Sequence, residues 1–509
     1  MRGGRLHDRR EADGAQPVQH PLRAPGLKGE RHMSVDVHSS DLARFHRQRL
    51  TWQPTEGGAG TETSRVTVPL DYRDPAGRTI EIAVARRPAG DPGQRIGVLM
   101  IAPDDPGNRG IPLIGQLVGA LPAEVLDRFD LVAFDHRFSG DSHPIEVDWT
   151  PEERLWVFHR PQSITEEIRF QSKVAAKVAD VALDLLPHAS TRNVARDMDV
   201  VRAALGEERI SYLGWSYGTY LGAVYTQLFG ERADRVVLDS VLSPDWPWRG
   251  LFLNVAASTE AAVNRWCGWA AARDGELRLG DSAAAVRSRY DELLERAGRE
   301  PLAVPGLPMP LDRFALEFFT VVMLTADRTY PLLGAVLRAA VHGDPVPGPA
   351  VGELMGLVNQ RQDSTPAGQL AILCGESSWP RDLDRYEAEM ASVGAELPFI
   401  GRTLASVKAG AFWPTSPVEP LTEIGPGNSA RSILLVQSEA DIFTRAVGAW
   451  RLRELLPENS RLVLAADTAC HKLFPFGGHP VVNELTTRYL LTGELPEKDV
   501  TVENHQESA

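Results

Sequence analysis

Residues 210–229 constrain this chain more than any other stretch. They read Ile210-Ser-Tyr-Leu-Gly214-Trp215-Ser216-Tyr217-Gly218-Thr219, followed by Tyr220-Leu-Gly-Ala-Val-Tyr-Thr-Gln-Leu-Phe229. The first run is short and apolar, as a buried strand is, and the second continues as a helix. Between them lies the pattern G-x-S-x-G. Its glycines permit a strand-to-helix turn sharp enough to lift the serine hydroxyl above the sheet edge. The amino end of the following helix favours developing negative charge. The bare pattern is weak, since a tight glycine-rich turn with an incidental serine also satisfies it. The strand before and the helix after make Ser216 the candidate nucleophile.

A serine hydroxyl needs a base, and the base needs an orienting carboxylate. On sheets that carry such a turn, the chain order is serine, acid, histidine, with acid and base on loops after later strands. Ile433-Leu-Leu-Val-Gln-Ser-Glu439-Ala-Asp441 places a carboxylate just past an apolar run, and Thr468-Ala469-Cys470-His471 follows the next one. Asp441 and His471 are therefore the expected partners of Ser216. Glu439 and Asp467 are rivals for the acid, and His479 for the base.

Other segments fit the same architecture. Ser64–Leu70 and Thr79–Arg86 alternate apolar and polar residues, as half-buried strands of a hairpin do, with Asp74-Pro75-Ala76-Gly77 as the turn. Val98–Ile101, Leu131–Phe134, Ile210–Leu213, Val236–Leu238, Ile433–Val436 and Leu462–Leu464 read as buried strands. Helical patterns such as Thr191–Leu205 separate most of them. Strands alternating with helices predict an α/β protein whose mostly parallel sheet is covered on both faces, and the turn at Ser216 with the chain order serine, acid, histidine makes an α/β-hydrolase fold the expectation. From about Pro244 to Pro426 strand patterns nearly vanish, and helical stretches dominate: Ala256–Arg273, Ser282–Ala297, Leu311–Leu324 and Arg381–Val393. The expected organisation is an N-terminal tail over 1–59, core over 60–245, a helical cap over 246–425, core again over 426–497, and a C-terminal tail over 498–509.

Bulk properties exclude several function classes. With 54 basic and 68 acidic residues the formal charge is −14, which argues against nucleic acid and anionic lipid as partners. No apolar run has the roughly 18 residues a membrane span needs. Cys267, Cys374 and Cys470 show no metal-ligand spacing, and three thiols cannot all pair within one chain. They read as buried thiols of a reducing compartment, so a cytoplasmic location is expected. Arg9-Arg10 is not followed by an apolar segment. Residues 1–32 are expected to be disordered or to precede a true start at Met33. No motif points to a metal, nucleotide or flavin cofactor: Gly107-Asn108-Arg109-Gly110 lacks the Gly-Lys-Ser/Thr ending of a phosphate loop.

Further groups of residues carry a resemblance to a known family. They are Val68-Pro69-Leu70-Asp71-Tyr72; Asp135-His136-Arg137 through Gly140 and Ser142; Thr191-Arg192 with Ala195-Arg196-Asp197; Gly214–Tyr220; Cys374 with Glu376; Ala411-Phe412-Trp413-Pro414; and Asp441 through Thr444. The chain resembles the tripeptidyl-aminopeptidase-like serine hydrolases, relatives of prolyl aminopeptidases, over about 64–497. The resemblance implies an exopeptidase that releases single residues or short peptides from a free N-terminus, with a helical cap over the active site. It implies that Glu376 helps hold the substrate amine, a salt bridge within the cap being the alternative. Asp104 and Trp215 are further candidates for contact with a small-molecule or short-peptide substrate. Oligomeric state is left open.

Three departures bear on these expectations. Members are usually exported with paired cysteines, whereas Gly410 and Ala411 stand where a half-cystine is usual, so Cys374 is expected to lack its partner. Phe138 replaces the glycine usual after Arg137. The glycine-rich loop usual after the third strand reads Ala102-Pro103-Asp104-Asp105-Pro106-Gly107-Asn108-Arg109-Gly110. A tetrahedral intermediate needs two backbone N–H donors, expected from Tyr217 and from Asp105. A carboxylate there would repel the oxyanion unless it is paired, with Arg109 or Arg137 the expected partners, or binds a cationic substrate group, or the natural reaction is easier than peptide cleavage. Three functions compete: an exopeptidase; an ester, amide or thioester tailoring hydrolase or acyltransferase; and a non-catalytic binding protein that keeps the fold.

Overall fold

The computed structural model describes residues 42–503, apart from 56, 57, 59, 161, 247 and 360–365. The expectations for residues 1–32 and for Met33 lie outside the described residues. The strands are β1 (Gln53–Pro54), β2 (Glu62–Pro69), β3 (Thr79–Arg87), β4 (Gly97–Ala102), β5 (Phe129–Phe134), β6 (Ile210–Ser216), β7 (Ala233–Val241), β8 (Ser432–Ser438), β9 (Ser460–Ala465) and β10 (Val500–Val502). They form one sheet in the order β1-β2-β3-β5-β4-β6-β7-β8-β9-β10. The pairs β1–β2, β2–β3 and β3–β5 are antiparallel, and the others are parallel.

Every side chain of β5 and β8 is buried, as expected for parallel strands covered on both faces. Alternation divides the side chains of the central strands between two cores. Val98, Met100, Val236 and Leu435 pack in one, and Leu99, Ile101, Val237 and Leu434 in the other. Each fully buried aliphatic side chain contributes about 1.5–3 kcal/mol to stability.

Strand β4 lies between β5 and β6, with Ala102 opposite Gly214. The chain leaves β4 towards β5 on one side and leaves β6 towards β7 on the other. The loops after β4 and β6 therefore diverge at the carboxyl end of the sheet, where such folds open a crevice. This places loop 103–110 against the turn at Ser216.

The described residues between β7 and β8 are helical or irregular, with strand pairing limited to the bridges Leu302–Leu311 and Ala326–Cys470. The long helices include Arg249–Ala271, Ala283–Arg299, Arg313–Met323 and Leu383–Glu396. Ala283–Arg299 illustrates their logic. The Ser282 side chain caps it by accepting the Ala285 N–H, and Val286, Tyr290, Leu293, Leu294 and Ala297 form its buried stripe at helical spacing.

The described parts of both expected tails carry a short strand. β1 lengthens the sheet at one edge, and β10 pairs in parallel with β9 at the other. Two- and three-residue strands are too short to show a period. Phe138, where a glycine was expected, keeps the left-handed backbone at φ 69° while its ring is fully buried. Cys267, Cys374 and Cys470 are buried and unpaired.

Candidate active site

Ser216 ends β6 with φ 53° and ψ −119°, and the helix Tyr217–Phe229 begins at the next residue. A left-handed φ at a non-glycine residue is costly, and the structure holds it by packing on both sides. A β-carbon on Gly214 would sit 2.7 Å from the Gly218 carbonyl, and one on Gly218 would sit 3.0 Å from the Pro103 carbonyl. Those two contacts explain why glycine flanks the serine at both positions.

The His471 imidazole meets the Asp441 carboxylate, with Nδ1 at 2.9 Å from Oδ2 and 3.1 Å from Oδ1. Asp441 also accepts the N–H groups of Phe443 at 2.8 Å and Thr444 at 3.0 Å, and the Thr444 hydroxyl at 2.9 Å. Burial alone would raise this carboxyl; His471 and the donors around it outweigh burial and hold it below its ordinary value. The Phe443 and His471 rings meet in a T-shaped contact, centroids 5.1 Å apart.

The loop carrying His471 is fastened to the serine's own part of the sheet. Asp239, opposite Trp215 in the β6–β7 register, accepts the N–H groups of Leu473 at 3.1 Å and Phe474 at 2.5 Å. The Lys472 N–H donates to the Ser240 hydroxyl at 2.8 Å. The helical insert grips the same loop from outside. The His471 N–H donates to the Thr325 carbonyl at 2.8 Å, and Asp327 exchanges two bonds with Ala469, its N–H donating at 2.8 Å and its carboxylate accepting at 2.9 Å. Neither Asp239 nor Asp327 was expected from sequence. A carboxylate at the end of a buried strand was the available signal for Asp239.

The rivals are engaged elsewhere. Glu439 accepts the Asp467 N–H at 2.8 Å, and Asp467 pairs with Arg265 at 2.6 Å. His479 caps the helix Pro480–Thr492, accepting the Val482 N–H at 3.4 Å.

Trp215 corrects an expectation of substrate contact. Its ring is 1% exposed in the apolar core, and its indole N–H donates to the Phe474 carbonyl at 2.7 Å. Strand alternation turns it away from the side Ser216 faces.

The loop after β4 also differs from expectation. The Tyr217 N–H donates to the Asp104 carbonyl at 3.0 Å. The Asp104 carboxylate forms an ion pair with Lys472 and accepts the Asn108 side chain at 3.1 Å. Burial would raise this carboxyl, but Lys472 and Asn108 hold it far below its ordinary value. The expected partners are committed otherwise: Arg109 pairs with Asp141 at 2.5 Å, and buried Arg137 with Asp197 at 2.6 Å. Asp105 has an exposed side chain, and its carbonyl accepts the Asn108 N–H at 3.2 Å.

Glu376 follows the helix Pro366–Gly375 and is 6% exposed. It accepts the Thr191 hydroxyl at 2.7 Å, and that hydroxyl lies 3.1 Å from the Tyr217 hydroxyl. Thr191 is the first residue of the helix Thr191–Ala204, capped by Ser190. Burial pushes the Glu376 carboxyl up to about 7 against the pull of Thr191 and Arg192. A cleft lined by Asp71, Arg73, Arg192 and Glu419 reaches Glu376.

Comparison with known proteins agrees with this architecture. Residues 108–334 match the family described as alpha/beta hydrolase fold, and residues 397–502 match the family described as TAP-like protein. The chain is 32% identical to the tripeptidyl aminopeptidase of Streptomyces lividans over 86% of its own length and 83% of that protein. It is 27% identical to serine protease Hip1 of Mycobacterium tuberculosis over 88% of this chain and 90% of that one. With carboxylesterase B of the same organism it shares 27% identity over 85% of this chain and 84% of the relative.

Proposed function

The chain belongs to the tripeptidyl-aminopeptidase-like α/β hydrolases and is a serine hydrolase; from that premise we propose that Ser216, Asp441 and His471 form its triad and that it releases amino acids or short peptides from free N-termini. The observation that carries the reading is the Asp441–His471 pair, mounted on a loop bound to the strand beside that of Ser216. In this reading His471 Nε2 takes the proton of Ser216 Oγ as that oxygen attacks the substrate carbonyl. Asp441 holds the Nδ1–H and stabilises the imidazolium. His471 then gives its proton to the leaving amine, and water resolves the acyl-enzyme by the same route in reverse. The N–H groups of Tyr217 and Asp105 stabilise the oxyanion once the Asp104 carbonyl moves off the former.

Glu376 supports a free-amine substrate: a buried carboxylate becomes a favourable anion when a cationic amine enters beside it. The helices between β7 and β8 would act as a cap over Ser216. The three unpaired, buried cysteines support a cytoplasmic location.

A fluorophosphonate probe should label Ser216 alone. Ser216→Ala should abolish labelling and His471→Ala should slow it, with losses of several orders of magnitude in turnover. Aminoacyl and tripeptidyl chromogenic substrates should be cleaved in preference to their N-blocked counterparts. Labelling that persists in Ser216→Ala refutes the triad assignment.

A second reading has an observation in its favour. The Tyr217 N–H is already engaged by Asp104, so stabilising an oxyanion first requires that bond to be given up. An enzyme of easier reactions, such as ester or thioester hydrolysis, tolerates that better. Faster turnover of N-blocked esters than of any free-amine peptide substrate would favour it.

A further inference from the structure

Lys472 follows His471 directly and reaches across the crevice to the carboxylate of Asp104. Its own backbone is left-handed, with φ 66°, and its N–H is fixed to Ser240 at 2.8 Å. The side chain therefore leaves the histidine loop in a direction set by the backbone. Asp104 is equally constrained. Its carbonyl takes the Tyr217 N–H at 3.0 Å, and Asn108 holds its carboxylate from the other side at 3.1 Å. Residue 104 thus sits against the donor that an oxyanion would use. An ionised carboxylate there opposes negative charge on the substrate oxygen and favours positive charge on the imidazole.

We propose that Lys472 is a positioning residue that fixes Asp104 and cancels its charge, so that the carboxylate of residue 104 acts neither against the substrate oxygen nor on His471. The proposal rests on the reading of Ser216 and His471 as nucleophile and base. The charges work in opposite senses at the two reacting centres. Without Lys472, Asp104 destabilises the oxyanion and stabilises the imidazolium. Without the Asp104 charge, Lys472 does the reverse. The pair permits an acidic residue at position 104 in a loop whose job is to receive negative charge, and it ties that loop to the base. Other titratable groups around His471 are Asp441 past β8, Asp239 on β7, Cys470 on its own loop and Asp327 from the insert. None of them forms the Asp104 pair, so single substitutions at 472 and 104 leave them in place.

The test is the pH profile of kcat/KM for one amide substrate in Lys472→Met, Asp104→Asn, the double variant and Lys472→Arg, with Ser216→Ala alongside. Lys472→Met should lower amide turnover by about tenfold or more and move the acid limb to higher pH. Asp104→Asn should move the limb to lower pH. The double variant should return towards the parent profile and recover most of the lost turnover. Lys472→Arg should stay near the parent. A simple packing role predicts rate losses without opposed shifts, and additive losses in the double variant. Shifts of the same sign, no shifts, or additivity in the double variant would overturn the proposal. If Lys472→Met does not fold, Asp104→Asn and Lys472→Arg still decide it: an unmoved limb in the first, or a lost rate in the second, counts against it. Activity surviving in Ser216→Ala would instead refute the triad reading. A dead Ser216→Ala with unshifted profiles would refute only the role of Lys472.

Discussion

Asp239 accepts the Leu473 N–H at 3.1 Å, two residues past His471, and so fixes the turn that presents the imidazole. The same carboxylate takes the Phe474 N–H at 2.5 Å and the Ser240 hydroxyl at 3.0 Å, all within a fully buried setting. Asp239→Ala leaves two buried N–H groups and the buried Ser240 hydroxyl without their acceptor, at a cost of about 3 kcal/mol or more. Asp239→Asn keeps one acceptor oxygen and should lose less. Thermal unfolding measures the first effect, and fluorophosphonate labelling of Ser216 measures the second, a slower reaction as His471 loses its mounting. Full stability and labelling in Asp239→Ala would show that the turn holds without it.

Glu376 supplies a pH dependence with a definite sign. Its carboxyl is raised to about 7 by burial, so the folded state retains a proton that the unfolded state releases near its ordinary value of 4.5. Stability from this group is therefore complete below about pH 4.5 and falls as pH rises to about 7, by at most about 3 kcal/mol. Glu376→Gln should flatten that part of the curve. Asp239, also raised to about 7, contributes the same trend and cancels in the comparison of parent with Glu376→Gln. Melting temperatures between pH 4.5 and 8 check it. In the proposed function, Glu376→Gln also raises KM for free-amine substrates and leaves N-blocked esters nearly unaffected; equal losses on both would mean a role in folding alone.

Gly218 marks where the loop after β4 approaches the helix behind Ser216. An alanine β-carbon there would lie 3.0 Å from the Pro103 carbonyl and 3.4 Å from the Ala102 side chain. Relief requires the loop to shift, at a cost of about 1–3 kcal/mol. The shift moves residues 104 and 105 relative to the Tyr217 N–H, so Gly218→Ala should lower kcat by about tenfold or more while KM changes little. Unchanged kcat with a lowered melting temperature would separate packing from catalysis.

The parts of this molecule legible in sequence are those governed by short-range physics. β4, β5 and β8 announce themselves because both their faces are buried. The pairing of Asp441 with His471 was legible because each follows an apolar run in the expected chain order. β10 was not, since three residues carry no period. Trp215 misled because it neighbours Ser216 in sequence, while strand alternation sends adjacent side chains to opposite faces. The partner of Asp104 was out of reach for another reason. Arg109 lies on the same loop and Arg137 just past β5, but buried carboxylates at Asp135 and Asp197 and the exposed carboxylate of Asp141 claim them first. Lys472 arrives from the far end of the sequence.

The grip of the insert on the histidine loop yields the last prediction. Ala326 bridges Cys470, the Thr325 carbonyl takes the His471 N–H at 2.8 Å, and the Asp327 carboxylate takes the Ala469 N–H at 2.9 Å. Main-chain bonds in this bridge survive any side-chain substitution, so Asp327 is its one adjustable member. The carboxylate is half-shared with Arg265, 3.9 Å away, and burial raises it above its ordinary value. Asp327→Asn keeps an oxygen for the Ala469 N–H and should behave like the parent. Asp327→Ala removes that acceptor and loosens the bridge where the loop turns towards His471. Loosening a base by a fraction of an ångström costs rate more than affinity, so kcat should fall about three- to tenfold with KM nearly constant. The global melting temperature should drop by less than in Asp239→Ala, because Asp327 orphans one donor and Asp239 orphans three. Hydrogen exchange at Ala469 provides the local reading: it should accelerate in Asp327→Ala and stay protected in Asp327→Asn. Equal protection in both variants would mean that the main-chain bonds alone hold the loop, and that the carboxylate contributes nothing to the mounting of His471.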